Sequence, residues 1–141
     1  MFLGDHARTT PDKAALVNAN TGETLSYREL DERSNRFAQF LYANGLRRGD
    51  HVAVLMENNN RFFEIAWAAN RSGLYLTAVN RYLTADEAAY IVNDSGAQVL
   101  VTSAACRPAA ESLPGKIPNC RLRLMVDDSA TGWDSYEHAV A

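Results

Sequence analysis

Apolar and polar positions alternate along the chain with periods that change several times, and each period predicts a helix or a strand. From Ser26 to Gly45 the apolar residues recur at helical spacing, which predicts an amphipathic helix. Ser26 and Glu29 form a capping box at its start, and Gly45 suits the position just beyond its end. Its polar side carries two i,i+4 pairs that predict ion pairs, Glu29 with Arg33 and Glu32 with Arg36.

Short apolar runs at 51–56, 74–79, 98–102 and 121–126 predict four strands. Helical patterns separate these strands. One begins at Arg61 after three asparagines that can cap it, and its apolar face carries Phe62, Phe63, Ile65, Ala66, Trp67 and Ala69. Further capping boxes at 84–87 and 134–137 predict helix starts, and the weak helical pattern at 104–113 is interrupted by Pro108.

The first 25 residues predict peripheral elements. Residues 1–13 have loose helical spacing that Pro11 stops, which predicts a short amphipathic helix. The apolar stretches 14–17 and 23–25 flank an Asn- and Gly-rich segment, so they predict a small antiparallel hairpin.

The alternation of strands and helices from 51 to 126 predicts an α/β fold, in which a largely parallel sheet lies between flanking helices in three layers. We expect residues 1–141 to form one domain. The run 74–79 is almost wholly apolar and therefore predicts a central strand covered on both faces. The loop that follows would lie at the carboxyl edge of the sheet, where open α/β sheets bind ligands. Asn80, Arg81 and Tyr82 are therefore candidate site residues, and a polar turn that only caps the next helix is the alternative.

Composition and charge exclude several classes of function. A chain of 141 residues with 47% hydrophobic residues can bury one core. The net charge of -3 argues against a general binder of nucleic acids or anionic membranes. Cys106 and Cys120 form neither a CxxC motif nor a disulfide framework, and the chain has no apolar stretch long enough to span a membrane. We expect a reduced, cytoplasmic protein.

Familiar catalytic motifs are missing from the sequence. No Gly-rich phosphate-binding motif occurs, and the three histidines are too scattered to predict a metal site. Asp127 and Asp128 are best interpreted as an acidic turn. Cys106 is best interpreted as a small packed residue, since the sequence indicates no general base that would activate its thiol. The stripe of Phe62, Phe63 and Trp67 is typical of a core, although an acyl-binding pocket uses the same residue types.

Three longer runs carry a resemblance to a known family. They are LSYREL at 25–30, SNRFAQFLYANGLRRGDHVAVLMEN at 34–58 and AWAANRSGLYLTAVNRYLTADEAAYIVNDSGAQVLVTS at 66–103. In residue identity and order they resemble the start of the adenylate-forming acyl-CoA synthetases, and most of all bacterial fatty or medium-chain acyl-CoA ligases. The stretch 133–141 is similar, more loosely, to a helix start common in the family.

The resemblance implies a two-step reaction. A fatty or other carboxylic acid attacks Mg·ATP to give an acyl-adenylate and pyrophosphate, and the thiolate of coenzyme A then displaces AMP. The family's phosphate loop, ribose-binding acid and C-terminal lysine do not occur in these 141 residues. We therefore expect an N-terminal fragment of a longer enzyme, which alone is inactive and holds no ATP, Mg²⁺ or coenzyme A.

One departure from the family affects the candidate site. Many members have Asn-x-Arg-Leu after this strand, and in some of them the Arg lies near the phosphates of coenzyme A. Here the order is Asn80-Arg81-Tyr82-Leu83, so Tyr82 occupies the usual Arg position and Arg81 comes one residue early. The resemblance assigns coenzyme A binding to Arg81 and Tyr82 with this shift in register.

Two other functions compete with the fragment hypothesis. A free-standing relative could serve as a dimerisation or interaction module, in which case a stop codon follows Ala141. An unrelated flavodoxin-like domain would bind a nucleotide or flavin by itself. We also expect the chain to self-associate through exposed apolar patches.

Overall fold

The computed structural model describes residues 2–141, which form six α-helices, seven β-strands and two short 3₁₀ turns. The helices are α1 (Leu3–Thr9), α2 (Tyr27–Ala43), α3 (Asn60–Ser72), α4 (Ala85–Ser95), α5 (Arg107–Ala110) and α6 (Tyr136–Ala139). The strands are β1 (Ala14–Val17), β2 (Thr24–Ser26), β3 (His51–Leu55), β4 (Tyr75–Ala78), β5 (Val99–Ser103), β6 (Leu122–Val126) and β7 (Asp134–Ser135). None of the helices in this part of the chain is long and apolar enough to span a bilayer.

The main sheet has five parallel strands in the order β4-β3-β5-β6-β7. Strands β1 and β2 form a separate antiparallel hairpin. Both features confirm the predicted α/β class, the parallel sheet and the N-terminal hairpin. The helices cover the two faces of the sheet, so the fold has the three expected layers.

Two apolar clusters fill the space between the sheet and its helices. On one face, α2 and α3 pack on side chains such as Val52 and Val54 of β3. On the other, α4 and α5 pack on Ala53 and Leu55 of the same strand. Side chains of consecutive β3 residues thus pack in opposite clusters, because successive side chains of a strand point to opposite faces of the sheet. This is why β3 and β5 are apolar along almost their whole length.

The prediction that residues 74–79 form a central strand is wrong. Strand β4 lies at the edge of the sheet, with Tyr75 62% exposed and Ala78 exposed as well. Its apolar sequence matches a strand flanked by two neighbours, but the chain crosses back over β3 after β4 and places β5 on the far side of β3. The position of β4 is therefore set by the strand order of the whole sheet and not by the composition of residues 74–79.

The capping signals predicted the helix boundaries well. The Ser26–Glu29 and Thr84–Glu87 boxes form as expected, and Asn59 caps α3 by accepting the backbone N–H of Arg61 at 2.9 Å. The third box is displaced by one residue: Ser135 caps α6, while Asp134 belongs to strand β7. Pro108 lies in the first turn of α5, where it is tolerated because no N–H is needed there.

Helix α3 holds a buried carboxylate that its apolar pattern concealed. Glu64 is 0% exposed, and its carboxylate pairs with Arg33 and Arg61 and accepts the Tyr136 hydroxyl at 3.1 Å. Arg33 therefore pairs with Glu64, and Glu29, its predicted partner, instead accepts the backbone N–H of Ser26. A buried ion needs such partners to offset its lost hydration. The predicted pair of Glu32 and Arg36 is likewise absent from the ion pairs of residues 2–141.

The aromatic residues of α3 divide between core and surface. Phe62 is half-buried against the α2–α3 cluster, whereas Phe63 is 45% exposed. Trp67 is half-buried and contacts the ring of Phe2 edge-on, at 6.1 Å between centroids. The predicted core stripe is therefore correct for Phe62 and wrong for Phe63.

Candidate functional site

The strand order identifies a crevice at the carboxyl edge of the sheet. From β3 the chain passes through α3 to β4 on one side, and from β5 it continues to β6 on the other side. Where two adjacent strands connect onward in opposite directions, the loops that follow them diverge and leave a gap between them. Ligands of open α/β sheets bind in such a gap. In this protein the gap lies beyond the ends of β3 and β5.

A carboxylate and a hydroxyl meet across this gap. Glu57 follows β3 by two residues, and its carboxylate accepts a hydrogen bond from the hydroxyl of Ser103, the last residue of β5. Asn59 also donates to Glu57, at 3.0 Å from Nδ2 to Oε1. A third contact ties the same two strand ends together, since the Thr102 hydroxyl donates to the Leu55 carbonyl at 2.7 Å. The rim of the crevice is therefore fixed by side chains as well as by the strand ladder.

The charge of Glu57 is stabilised despite its position. Burial disfavours the ionised carboxylate, but the hydrogen bonds from Ser103 and Asn59, together with the positive charge of Arg81, outweigh burial and lower the pKa of Glu57 below its usual range. Glu57 is therefore a fixed negative charge at neutral pH.

Arg81 and Tyr82 lie together on the neighbouring wall. The Arg81 guanidinium stacks over the Tyr82 ring at 4.6 Å from its centroid and donates to the Tyr82 hydroxyl at 2.6 Å. The Asn80 side chain accepts the Tyr82 backbone N–H at 2.9 Å and so shapes the turn. Tyr82 is 80% exposed, which leaves its ring accessible. Asn80 forms a polar turn, although Thr84 and not Asn80 caps α4, while Arg81 and Tyr82 present a cation and an aromatic ring.

Glu57, Arg81 and Tyr82 line two adjoining clefts, which lie beside the gap on its β4 side. One, of about 430 Å³, is formed by both walls and is lined by Asn20, Met56, Glu57, Asn58, Val79, Asn80, Arg81 and Tyr82. A second, of about 500 Å³, shares Asn20, Met56, Glu57 and Asn58 with the first and extends toward Val17, Phe62 and Phe63. The two clefts thus join a polar, charged part to a part with apolar side chains, a combination suited to an amphipathic ligand.

The remaining candidate residues do not assemble into a second site. His6 stacks on Tyr27 and His51 on Tyr75, in two different places. Burial raises the pKa of the Cys106 thiol, which disfavours the thiolate that a nucleophile needs. Within residues 2–141 there is no group of three or more His, Cys, Asp or Glu residues placed to hold a metal ion.

The acidic turn after β6 is also structural. Asp127 adopts a positive φ of 63° and its backbone N–H bonds to Glu137 at 2.9 Å. Asp128 pairs with Arg107. A turn of this kind at a strand end matches the interpretation of Asp127 and Asp128 made from the sequence.

Sequence reasoning missed Glu57 and Ser103. The chain does carry a signal for them, because both are polar residues at or just after the ends of buried strands. This signal points to a shared site only once β3 and β5 are known to be neighbours. From the sequence, the loop after β4 was the stronger candidate.

Comparison with known proteins gives a consistent result. The family model described as "AMP-binding enzyme" matches residues 3–140. A fatty acid–[acyl-carrier-protein] ligase, ScoC of Streptomyces coeruleorubidus, is 36% identical over 132 residues, which are 94% of this chain and 24% of that protein. The long-chain-fatty-acid–CoA ligase FadD13 of Mycobacterium tuberculosis is 31% identical over 79% of this chain and 22% of its own length.

A solved structure agrees with both relatives. The fatty acyl CoA synthetase of Mycobacterium tuberculosis superposes with a TM-score of 0.83 and 26% identity, covering 98% of this chain and 27% of that one. The chain spans about a quarter of the length of the curated relatives it matches. It resembles the N-terminal part of these ligases.

Proposed function

The chain belongs to the family of AMP-binding enzymes, and from this membership we propose that it is the N-terminal part of an acyl-CoA synthetase. The proposed enzyme converts a fatty acid, ATP and coenzyme A into acyl-CoA, AMP and pyrophosphate. The observation that carries the proposal is the match of nearly the whole chain to ligases that act, by their names, on fatty acids. Family membership also removes the hypothesis of an unrelated flavodoxin-like domain.

We propose that coenzyme A contacts Arg81 and Tyr82. Arg81 offers a guanidinium, which suits phosphate oxygens because it can donate two hydrogen bonds in parallel. Tyr82 offers an exposed ring on which a base can stack. The two residues are held against each other, so a ligand meets both at once.

ATP and Mg²⁺ belong to the proposed reaction but find no matching residues in this chain. The described part has no group of three or more His, Cys, Asp or Glu residues placed to hold a metal ion, and no Gly-rich loop at a helix start that would surround phosphates. We therefore propose that a longer polypeptide supplies those contacts and that residues 1–141 alone bind neither ATP nor coenzyme A. We further propose a cytoplasmic location and self-association of the isolated chain.

The role of Arg81 can be tested in the enzyme encoded by the whole reading frame. Arg81→Gln should raise the KM for coenzyme A by about tenfold or more, since one charge-assisted contact is lost, and leave the KM for ATP unchanged. Arg8→Gln is the matched control, because Arg8 is an exposed arginine of α1 that pairs with Asp5 on the surface. An unchanged KM for coenzyme A in the Arg81 variant would contradict the assignment.

The fragment hypothesis makes a separate prediction. The 141-residue chain mixed with ATP, a fatty acid and coenzyme A should release no AMP above a buffer control, since the phosphate loop and the C-terminal lysine that the family resemblance implies do not occur in its sequence. Turnover by this chain alone would refute it. The competing hypothesis of a free-standing interaction module predicts a stop codon directly after Ala141 and no ligase activity from the gene.

The acceptor of the acyl group defines a second candidate. ScoC is named as a ligase for an acyl-carrier protein, so a carrier-bound thiol is a specific alternative to coenzyme A. Assaying the whole enzyme with each thiol separates the two. A preference for the carrier protein would replace coenzyme A as the proposed substrate.

A further inference from the structure

The cleft that Arg81 and Tyr82 line also contains a carboxylate that takes no part in the proposed contacts to coenzyme A. Glu57 lies on the other wall, beyond the end of β3, and lines the same cleft of about 430 Å³. The positive charge of Arg81 acts on Glu57, yet the two side chains form no ion pair with each other within residues 2–141. A ligand in this cleft therefore meets a cation and an anion that are not already paired.

The neighbours of Glu57 hold its carboxylate in place as an acceptor. Ser103 and Asn59 each donate one hydrogen bond to it, Ser103 to Oε2 and Asn59 to Oε1. The lowered pKa keeps the group ionised at neutral pH, so it only accepts hydrogen bonds. An ionised carboxylate has about four acceptor positions, and with its own backbone N–H as a third donor Glu57 still has one of them open.

An open acceptor in a binding cleft selects for a hydrogen-bond donor. A ligand that displaces water from an ionised carboxylate and donates nothing in return leaves a charge unsatisfied, which is costly. The phosphate groups of a ligand suit Arg81, but the negative charge of Glu57 repels them. The part of the ligand next to Glu57 should therefore be uncharged or cationic and carry an N–H or O–H group.

We propose that Glu57 accepts a hydrogen bond from the exocyclic amino group of the adenine of coenzyme A, an inference that rests on the proposed binding of coenzyme A at Arg81 and Tyr82. The adenine stacks on the exposed Tyr82 ring, and its amino group donates across the cleft to Glu57. Ser103 and Asn59 are positioning residues, since they orient the carboxylate without touching the ligand. Glu57 therefore sets the preference for adenine over bases without this amino group.

The same arrangement favours coenzyme A over a carrier-bound thiol. An acyl-carrier protein presents its thiol without a nucleotide base, so it offers neither a ring for Tyr82 nor an amino group for Glu57. The two residues thus contribute to the choice between the two acyl acceptors.

An analogue of coenzyme A tests the contact in the enzyme encoded by the whole reading frame. In the hypoxanthine analogue a carbonyl oxygen replaces the amino group, so an acceptor faces Glu57 where a donor is needed. Isothermal titration calorimetry should give a Kd for the analogue at least about tenfold higher than that for coenzyme A, as the loss of a hydrogen bond to a charged group requires.

Two variants show whether Glu57 causes this discrimination. Glu57→Ala should weaken the binding of coenzyme A and bring the two Kd values together, because no acceptor remains for the amino group. A merely structural role of Glu57 would instead weaken both ligands by the same factor and leave the ratio of Kd values unchanged. Glu32→Ala removes an exposed carboxylate of α2 and is the matched control, which should keep the ratio of the unaltered enzyme.

The outcomes separate this inference from the proposed function. Equal Kd values for the two ligands in the unaltered enzyme would overturn the inference without any variant, and so would a preference that persists in Glu57→Ala. In both cases Arg81→Gln should still weaken the binding of coenzyme A. If Arg81→Gln leaves that binding unchanged, the proposed coenzyme A site fails and the role of Glu57 fails with it.

Discussion

Replacing the buried Glu64 with glutamine should destabilise the protein strongly. The carboxylate is 0% exposed and joins three elements: α2 through Arg33, its own helix through Arg61, and α6 through Tyr136. Glutamine has nearly the same shape, so the substitution removes the charge with little change in volume. Both guanidinium groups then lose their buried anion.

The expected loss of unfolding free energy depends on the partners that Arg33 and Arg61 keep in the variant. Breaking a buried ion pair costs about 3–5 kcal/mol when the remaining charge has no other partner. The side chain of Arg33 is 35% exposed and can regain water, and Arg61, only 13% exposed, keeps its pair with Glu23. We therefore expect a loss of about 3 kcal/mol, at the lower end of that range.

Urea unfolding followed by circular dichroism provides the assay. The midpoint should fall with an unchanged slope, which separates a stability change from a change in the denatured state. Glu111→Gln is the matched control, because Glu111 is 53% exposed in a surface pair with Arg107 and should cost no more than about 1 kcal/mol. A loss below 1 kcal/mol for Glu64→Gln would show that the network contributes nothing beyond a surface pair.

Three further substitutions test local features. Thr84→Ala removes the α4 cap and should cost about 1 kcal/mol in urea unfolding. Gly73→Ala should cost more than about 1 kcal/mol, since Gly73 has a φ of 68° and a Cβ there would lie 2.9 Å from Arg48 Cγ; Gly115→Ala, in open space without positive φ, is its control. Ser103→Ala should raise the pKa of Glu57, measured by carbon NMR of the carboxyl group. Because the folded pKa lies below its ordinary value of about 4.5, the ionised carboxylate stabilises the fold above that value and this contribution is lost as pH falls through the folded pKa. The variant should therefore lose at most about 1 kcal/mol at pH 7, because solvent screens this partly exposed group, and less as the pH falls below about 4.5; an equal loss over that range would contradict the argument.

Local chemistry made the elements predictable. The boxes at Ser26 and Thr84 specify their helix starts within a few residues, because the interactions join positions three apart in the chain. The parallel class followed from the alternation of strands and helices. The antiparallel hairpin followed from its Asn- and Gly-rich turn.

Strand order and buried charge were beyond the same reasoning. Whether β4 is central or at the edge depends on which side of β3 receives β5, and nothing within 74–79 encodes that choice. Glu64 lies in a helix rich in aromatic residues, and its partners Arg33 and Tyr136 are 31 and 72 positions away. Arg81 and Tyr82 were found because a turn brings neighbours in sequence together, whereas the pairing of Glu57 with Ser103 requires the assembled sheet.

The hydrogen bond between Tyr136 and Glu64 has a consequence for synthesis on the ribosome. The charged groups of the network lie in the first half of the chain, but the phenol that completes it is made 72 residues after Glu64. Burial and the Glu64 carboxylate raise the pKa of Tyr136 well above its usual range, so the phenol stays a protonated donor once it is packed in the fold. Until Tyr136 is in place, Glu64 Oε2 lacks its hydroxyl donor and needs a water molecule in its stead. We therefore expect α3 to stay partly hydrated in the incomplete chain. A nascent chain that pauses before Tyr136 should therefore remain sensitive to proteases along α3.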